Sequence, residues 1–71
     1  MEMSTLSENL RRIRKEQGLT QEEAANGAGL VLRSYRRYEM GEREPVASTL
    51  ILLADFYRVS IDYLVGRTDH K

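Results

Sequence analysis

The stretch QEEAANGAGLVLRSYRRYEM, residues 21–40, decides the fold of this chain. It predicts a short helix that begins at Gln21 and a second helix over about residues 32–40. The run 26–29, Asn-Gly-Ala-Gly, is expected to end the first helix, and Gly29 is suited to the tight turn because it lacks a Cβ. Thr20 and Glu23 form a Thr-x-x-Glu capping box before the first helix.

The second of these helices has two chemically different faces. On a helical wheel of about 100° per residue, the apolar side chains fall on one side: Val31, Tyr35 and Tyr38. The two tyrosines are predicted to be buried on that side. The guanidinium groups fall on the other side: Arg33, Arg36 and Arg37. Such a helix is suited to docking against an anionic partner, which indicates nucleic acid. The spacing alone leaves a plain solvated face open as well.

The rest of the chain predicts three more helices, over about residues 5–17, 47–57 and 61–65. Within the last two, the residues expected to point inward are Leu50, Leu53, Ala54, Tyr57, Ile61 and Leu64. No strand pattern competes with these helices. The predicted fold is therefore all-α, a compact domain of five short helices joined by short loops.

Composition narrows the class of protein. The 71 residues form one predicted domain, 1–71, with a core over about residues 5–67 and a flexible tail at 68–71. A chain this small offers no room for a deep catalytic cleft, and it lacks cysteine. We expect no metal, no cofactor and no small-molecule ligand. No apolar run is long enough for a membrane span, and no signal peptide is evident, so the cytoplasm is the expected location.

The charges of the chain sum to a net charge of +0, although a nucleic-acid-binding domain is usually basic. They are segregated along the sequence. Basic residues cluster in the first helix and again in the third. The cluster of the first helix is interpreted mainly as a solvated face: Arg11, Arg12, Arg14 and Lys15. Local basic patches permit phosphate binding, and the neutral total predicts modest non-specific affinity.

The chain resembles a known family, the phage-repressor-like (Cro/C1-type, or xenobiotic-response-element) helix-turn-helix domains. The resemblance covers about residues 6–67. It rests on LRRIR at 10–14, GLTQEE at 18–23, RYE at 37–39, LADF at 53–56 and VSIDYLVGR at 59–67, together with Ala25, Gly29, Gly41 and Pro45. It implies a lambda-repressor-like fold, with the helix-turn-helix at the second and third helices.

The resemblance also implies roles for single residues. Those that match base-contacting positions are Leu32, Arg33, Arg36 and Arg37, with Arg36 at the margin of the groove. Gln21 and Arg43 match positions that contact phosphate, and Arg14 and Glu39 match a pair that forms an internal ion pair. Arginine suits base recognition because its fork can bond guanine O6 and N7 together.

Some positions depart from the family pattern or weaken a helix. Val31 and Leu32 stand where the third helix usually opens with a capping serine or threonine and a polar residue. Gly27 is expected to cost up to about 1 kcal/mol relative to alanine within a helix. Arg58 stands where a glycine normally ends the fourth helix, and it is expected to carry backbone strain.

Two functions follow as hypotheses. The first is a sequence-specific regulator of transcription, and specifically a repressor, that binds double-stranded DNA as a homodimer with helix 32–40 in the major groove. The alternative is a protein-interaction module, such as an antitoxin-like or anti-repressor subunit, that keeps the fold without strong DNA binding. Three features favour the alternative: the neutral charge, the apolar pair Val31-Leu32 at the tip of the third helix, and the exposed apolar residue expected at Leu52. An enzyme is not expected, since no nucleophile, base or metal-ligand cluster is evident.

Overall fold

The computed structural model describes residues 5–71 and contains five α-helices in that range. They are α1 (Leu6–Glu16), α2 (Gln21–Ala28), α3 (Leu32–Met40), α4 (Ala47–Tyr57) and α5 (Ile61–Leu64). No strand is present within this part of the chain, so the all-α prediction is confirmed. None of the helices described is both long and apolar enough to cross a membrane.

Side-chain caps explain where the first two helices begin. Thr20 accepts a hydrogen bond from the Glu23 backbone, and the Glu23 carboxylate accepts one from the Thr20 backbone, which confirms the predicted capping box. Thr5 and Glu8 form a second box of the same kind at α1. The sequence signal there is the same Thr-x-x-Glu spacing. By contrast, the residues that precede α3 and α4, Val31 and Val46, provide no side-chain cap.

α2 ends within the run 26–29, as predicted. Asn26 and Gly27 lie in its last turn, and Gly29 is the C-cap. Gly29 has φ 76°, a left-handed conformation in which a Cβ would be strained. The same conformation at the end of α4 falls on Arg58, with φ 59°. Arg58 is the only non-glycine residue with positive φ in the described range, as its place in the family pattern predicts.

The core brings all five helices together around aromatic and aliphatic side chains. Its buried members are Leu10, Ile13, Ala24, Ala25, Ala28, Tyr35, Tyr38, Leu53, Ala54, Tyr57, Tyr63 and Leu64. The hydroxyls of Tyr35 and Tyr57 share a hydrogen bond that joins α3 to α4 inside this core. Burial raises the pKa of both hydroxyls above the ordinary value for tyrosine, so both stay protonated.

One residue predicted to point inward is on the surface instead. Ile61 is 38% exposed at the start of α5, and the buried residues of that short helix are Tyr63 and Leu64. A helical wheel cannot show how far the neighbouring helices extend at the first residues of a helix. Val31, at the cap position before α3, is 67% exposed.

Close packing explains the glycine inside α2. Gly27 lies against the ring of Phe56 on α4, and a Cβ at this position would meet that ring. The glycine is therefore required for the approach of two helices, a role that helix propensity does not show. In the tail, the Ser60 backbone N–H donates to the Lys71 carbonyl at 2.9 Å. The flexibility expected of residues 68–71 stays a prediction.

Candidate nucleic-acid interface

The basic face of α3 lies opposite its buried aromatic face. Tyr35 is fully buried and Tyr38 is nearly so, while Arg33 and Arg36 are exposed and Arg37 is half-buried. Within residues 5–71, no carboxylate forms an ion pair with any of these arginines. Their positive charges are thus available to an anionic partner. This is the arrangement expected of a helix that the tyrosines anchor on one face and that presents guanidinium groups on the other.

The C-terminal end of α3 is held by an ion pair that is almost entirely buried. Arg14 Nε donates to Glu39 Oε2 at 2.7 Å, and Arg14 Nη2 donates to Glu39 Oε1 at 3.2 Å. This is the pair that the family resemblance implied. Burial alone would raise the pKa of the Glu39 carboxyl, but hydrogen bonds from Arg14, Tyr35 and Gln21 outweigh burial and lower that pKa. Glu39 therefore stays ionised inside the domain.

The same carboxylate connects α3 to the segment that precedes it. Gln21 Nε2 donates to Glu39 Oε1 at 3.1 Å. Arg14 Nη1 donates to the Leu19 carbonyl at 2.9 Å, so one guanidinium holds both the end of α3 and the loop before α2. The orientation of α3 is thereby fixed relative to α1 and to the start of α2. A rigid support of this kind keeps the exposed arginines in a constant position.

Gln21 has a structural role that the sequence did not reveal. One of its two side-chain N–H groups donates to Glu39. Its backbone N–H lies in the first turn of α2, where amide groups have no intrahelical acceptor and where the helix dipole favours an anion. A phosphate contact at Gln21, through the side chain and the helix N-terminus, stays a prediction.

The sequence places Arg11 on a solvated face of α1, and the structure corrects this. Its Nη1 donates to the Glu39 backbone carbonyl, one of the last carbonyls of α3. Arg12 does lie on the surface, where it pairs with Glu16 and lies 5.4 Å from the ring centroid of Tyr63. Arg11 and Arg14 are three residues apart and so share one face of α1. That spacing is the sequence signal that could have identified Arg11 as a structural residue.

The remaining two candidate site residues differ in exposure. Leu32 is half-buried and packs against the core, so only part of its side chain faces solvent. Arg43 is exposed in the loop after α3. It lines a shallow depression of about 240 Å³ beside the start of α1, where it is joined by Thr5, Leu6, Ser7, Tyr38, Gly41 and Glu44. The loop that carries Arg43 follows directly after α3, which carries the basic face.

Comparison with known sequences identifies the family. The sequence model of the helix-turn-helix family matches residues 10–64, most of the chain. This chain belongs to the helix-turn-helix family. Its α2 and α3 are the two helices of the motif, residues 29–31 are the turn, and α3 takes the place of the recognition helix.

The relatives of this helix-turn-helix domain are transcriptional regulators and phage repressors. It is 42% identical over 66 residues to an uncharacterised regulator, YqaE of Bacillus subtilis, covering 92% of this chain and 57% of YqaE. It is 40% identical over 62 residues to the cryptic phage CTXphi transcriptional repressor RstR of Vibrio cholerae, covering 87% and 55%. The chain thus spans little more than half the length of these relatives.

A solved structure supports the same conclusion. The P22 c2 repressor protein, in a crystal structure with a synthetic operator, superposes with a TM-score of 0.85. The identity is 25%, and the match covers 92% of this chain and 98% of the other. The fold of this helix-turn-helix domain is therefore that of a phage-repressor DNA-binding domain, and the predicted resemblance to the Cro/C1-type family is confirmed.

Proposed function

We propose that this helix-turn-helix domain binds double-stranded DNA in a sequence-specific manner and regulates transcription as a repressor. One observation carries the proposal. The buried Tyr35 and Tyr38 anchor α3, and the exposed Arg33 and Arg36 have no ion-pair partner in the described part of the chain. A helix held in this way can enter the major groove with its guanidinium groups directed at the DNA.

The residues are proposed to divide between base recognition and positioning. Arg33 and Arg37 bond guanine through O6 and N7, each with about 1–3 kcal/mol of discrimination. Arg36 and the exposed part of Leu32 are placed in or beside the groove. Gln21, through its side chain and the N-terminus of α2, and the guanidinium of Arg43 contact phosphates. These contacts fix the register of the domain on the duplex without reading sequence.

The proposed assembly on DNA is a homodimer on paired half-sites. One domain of this size covers few base pairs, and two copies separated by one helical turn, roughly 34 Å, would read a longer site. Exposed apolar side chains on α4 and α5 support this part of the proposal: Ile51, Leu52 and Ile61. Sedimentation equilibrium of the wild type and of Leu52→Glu, with and without operator DNA, tests the dimer.

Fluorescence anisotropy against a pool of duplexes, at two salt concentrations, tests DNA binding itself. We expect the affinity to fall steeply as salt rises, because each neutralised phosphate releases counterions. The double variant Arg33→Ala/Arg37→Ala should bind weakly. Lys15→Ala, which removes an exposed charge from α1, is the matched control and should bind nearly as the wild type does. Indistinguishable curves for the wild type and the double variant would overturn the proposal.

The alternative is a protein-interaction module, which the exposed apolar residues Val31 and Leu52 favour. An apolar contact with a protein partner would depend weakly on salt, so the same titration separates the two functions. The regulatory role that we propose involves no catalytic step. Its place of action would be the cytoplasm of a bacterial cell, where DNA is found.

A further inference from the structure

A polar link crosses the core between α3 and α4. Tyr35 is fully buried, Tyr57 is 2% exposed, and their hydroxyls share a hydrogen bond. A hydroxyl in an apolar core costs free energy unless it has such a partner. In contrast to apolar packing, a hydrogen bond also demands a defined distance and angle between its two groups. The pair therefore fixes how α3 and α4 are placed relative to each other.

The link continues to the end of α3. Tyr35 and Glu39 are four residues apart and so share one face of the helix. Burial would raise the pKa of the Glu39 carboxyl, and hydrogen bonds from Arg14 and Tyr35 lower it instead. A carboxylate only accepts hydrogen bonds, so the one hydroxyl proton of Tyr35 goes to Glu39. Tyr57 is then the donor to Tyr35, and the direction of both bonds is fixed.

The two ends of α3 are held differently. At the C-terminal end, Arg14 of α1 and Gln21 of α2 bond the carboxylate of Glu39. At the N-terminal end, Val31 provides no side-chain cap. The hydroxyl of Tyr57 holds the helix from α4, one turn nearer to the N-terminal end than Glu39. Two points of attachment fix the tilt of α3, whereas the carboxylate alone would leave it free to pivot about its C-terminal end.

Such a pivot would displace the arginines of the basic face unequally. At about 1.5 Å per residue, Arg33 lies about 9 Å along the helix axis from Glu39, and Arg37 lies about 3 Å from it. A tilt of about 10° would then move Arg33 by about 1.6 Å and Arg37 by about 0.5 Å, whereas a binding group must be held within roughly 0.5 Å. Loss of the second attachment should therefore affect Arg33 and spare Arg37.

We propose that the Tyr57 hydroxyl is a positioning group for Arg33 and contributes to base discrimination without touching DNA. This inference rests on the proposed DNA-binding function and adds to it a residue of α4. The hydroxyl acts through Tyr35, to which it is bonded. Tyr57→Phe keeps the ring in the core and removes only this link, so it separates the positioning role from the packing role of the residue.

A ratio of two dissociation constants measures the effect. A bound duplex is selected from a random pool, and Arg33→Ala and Arg37→Ala identify the guanine that depends on each arginine. Each of these G·C pairs is then replaced by A·T, and fluorescence anisotropy gives the affinity ratio of the original and replaced duplexes. With Tyr57→Phe, we expect the ratio at the Arg33 guanine to fall about three-fold, as for a hydrogen-bonded network that loses one member. The ratio at the Arg37 guanine should stay at the wild-type value.

A loss of folding cannot produce this result. Partial unfolding lowers the active fraction of the protein equally for both duplexes, so it leaves their affinity ratio unchanged. Tyr63→Phe is the matched control, because it removes the hydroxyl of another buried tyrosine, on α5 against Arg12 of α1. This variant should keep both ratios.

The double variant Tyr35→Phe/Tyr57→Phe tests the link itself. Tyr35→Phe already breaks both bonds of the link, so adding Tyr57→Phe should lower the ratio at the Arg33 guanine no further. The double variant leaves neither hydroxyl unpaired in the core. It therefore measures the effect of the link even if a single substitution unfolds the domain.

The outcomes are distinct. If Tyr57→Phe keeps the wild-type ratio at the Arg33 guanine, or lowers the ratio equally at both guanines, the positioning role is wrong and the DNA-binding function stands. The same conclusion follows if Tyr63→Phe lowers the ratio as much, if the double variant shows the sum of the single effects, or if no guanine depends on Arg33. If the wild type binds no duplex in a salt-dependent manner, the proposed function fails, and the inference fails with it.

Discussion

The ring of Phe56 on α4 lies directly against the backbone of Gly27 in the last turn of α2. A Cβ on Gly27 would stand 2.6 Å from Phe56 Cζ, closer than non-bonded carbon atoms approach. Glycine is here the residue that lets the two helices meet. The packing of α2 against α4 therefore depends on the absence of a side chain at position 27.

This contact predicts the effect of Gly27→Ala. Helix propensity alone would make the variant more stable by up to about 1 kcal/mol. The added methyl group instead overpacks the contact with Phe56, which costs about 1–3 kcal/mol. We expect a net loss of about 1 kcal/mol in the free energy of unfolding, measured by urea denaturation. Asn26→Ala, on the exposed surface of the same helix, is the control and should not destabilise the domain.

The double variant Gly27→Ala/Phe56→Leu gives a further check on the same contact. The smaller leucine makes room for the methyl group, so the two substitutions together should cost less than the sum of their separate effects. Additive effects, or a Gly27→Ala domain more stable than the wild type, would contradict the packing explanation.

The buried Arg14–Glu39 pair predicts the stability of the domain against acid. The pKa of Glu39 is lowered in the folded state, so its contribution is present above the unfolded pKa, near 4.5, and is lost as the pH falls through the folded value. Glu39→Gln should therefore be less stable at neutral pH by about 3 kcal/mol, as for a buried pair that loses one partner. Below pH 4.5 its stability should vary less with pH than that of the wild type.

The exposed Arg12–Glu16 pair provides the control for this experiment. Its side chains are 42% and 52% exposed, against 13% and 1% for Arg14 and Glu39. An exposed pair contributes about 0.2–1 kcal/mol, so Glu16→Gln should change the unfolding free energy little at any pH. Equal losses for the two substitutions would show that burial is not what makes the Glu39 pair important.

The left-handed backbone of Arg58 predicts a stabilising substitution. A side chain at φ 59° brings its Cβ close to the following carbonyl, and glycine avoids this contact. Arg58→Gly should raise the free energy of unfolding by about 0.5–1 kcal/mol, measured by thermal denaturation. Arg58→Ala removes the same charge but keeps the Cβ, so it should gain nothing. If both variants gained the same free energy of unfolding, the loss of the charge, and not the backbone conformation, would explain the effect.

Base and phosphate contacts predict different consequences for two arginine substitutions. Arg33→Ala should reduce the preference for guanine at one position of the half-site, at a cost of about 1–3 kcal/mol on the preferred sequence. Arg43→Ala should weaken binding nearly equally on all sequences and reduce the slope of the salt dependence by about one unit. Selection of bound sequences and a salt titration with each variant provide the measurements. If Arg43→Ala alters the base preference, its proposed role as a phosphate contact is wrong.

The local pattern of the sequence determined the helices and the turn between α2 and α3. The bounds of α3 and α4 follow from apolar spacing, the starts of α1 and α2 from capping boxes, and the left-handed ends from Gly29 and from Arg58 in a glycine position. Each of these features depends on a few neighbouring residues, because the hydrogen bonds and backbone conformation of one helical turn involve only residues close in sequence. Local rules therefore sufficed for them.

Tertiary contacts decided the position of each side chain relative to the rest of the molecule. Ile61 is exposed although its apolar spacing predicts an inward position, and Gly27 is required by Phe56, which follows it by 29 positions along the chain. Gln21 gives its side-chain amide to Glu39, and Arg11 bonds the end of α3. Each of these contacts and exposures depends on how far one helix extends past its neighbour and on which side chains meet where the two helices cross. The sequence carries that information only through the packing of the whole domain.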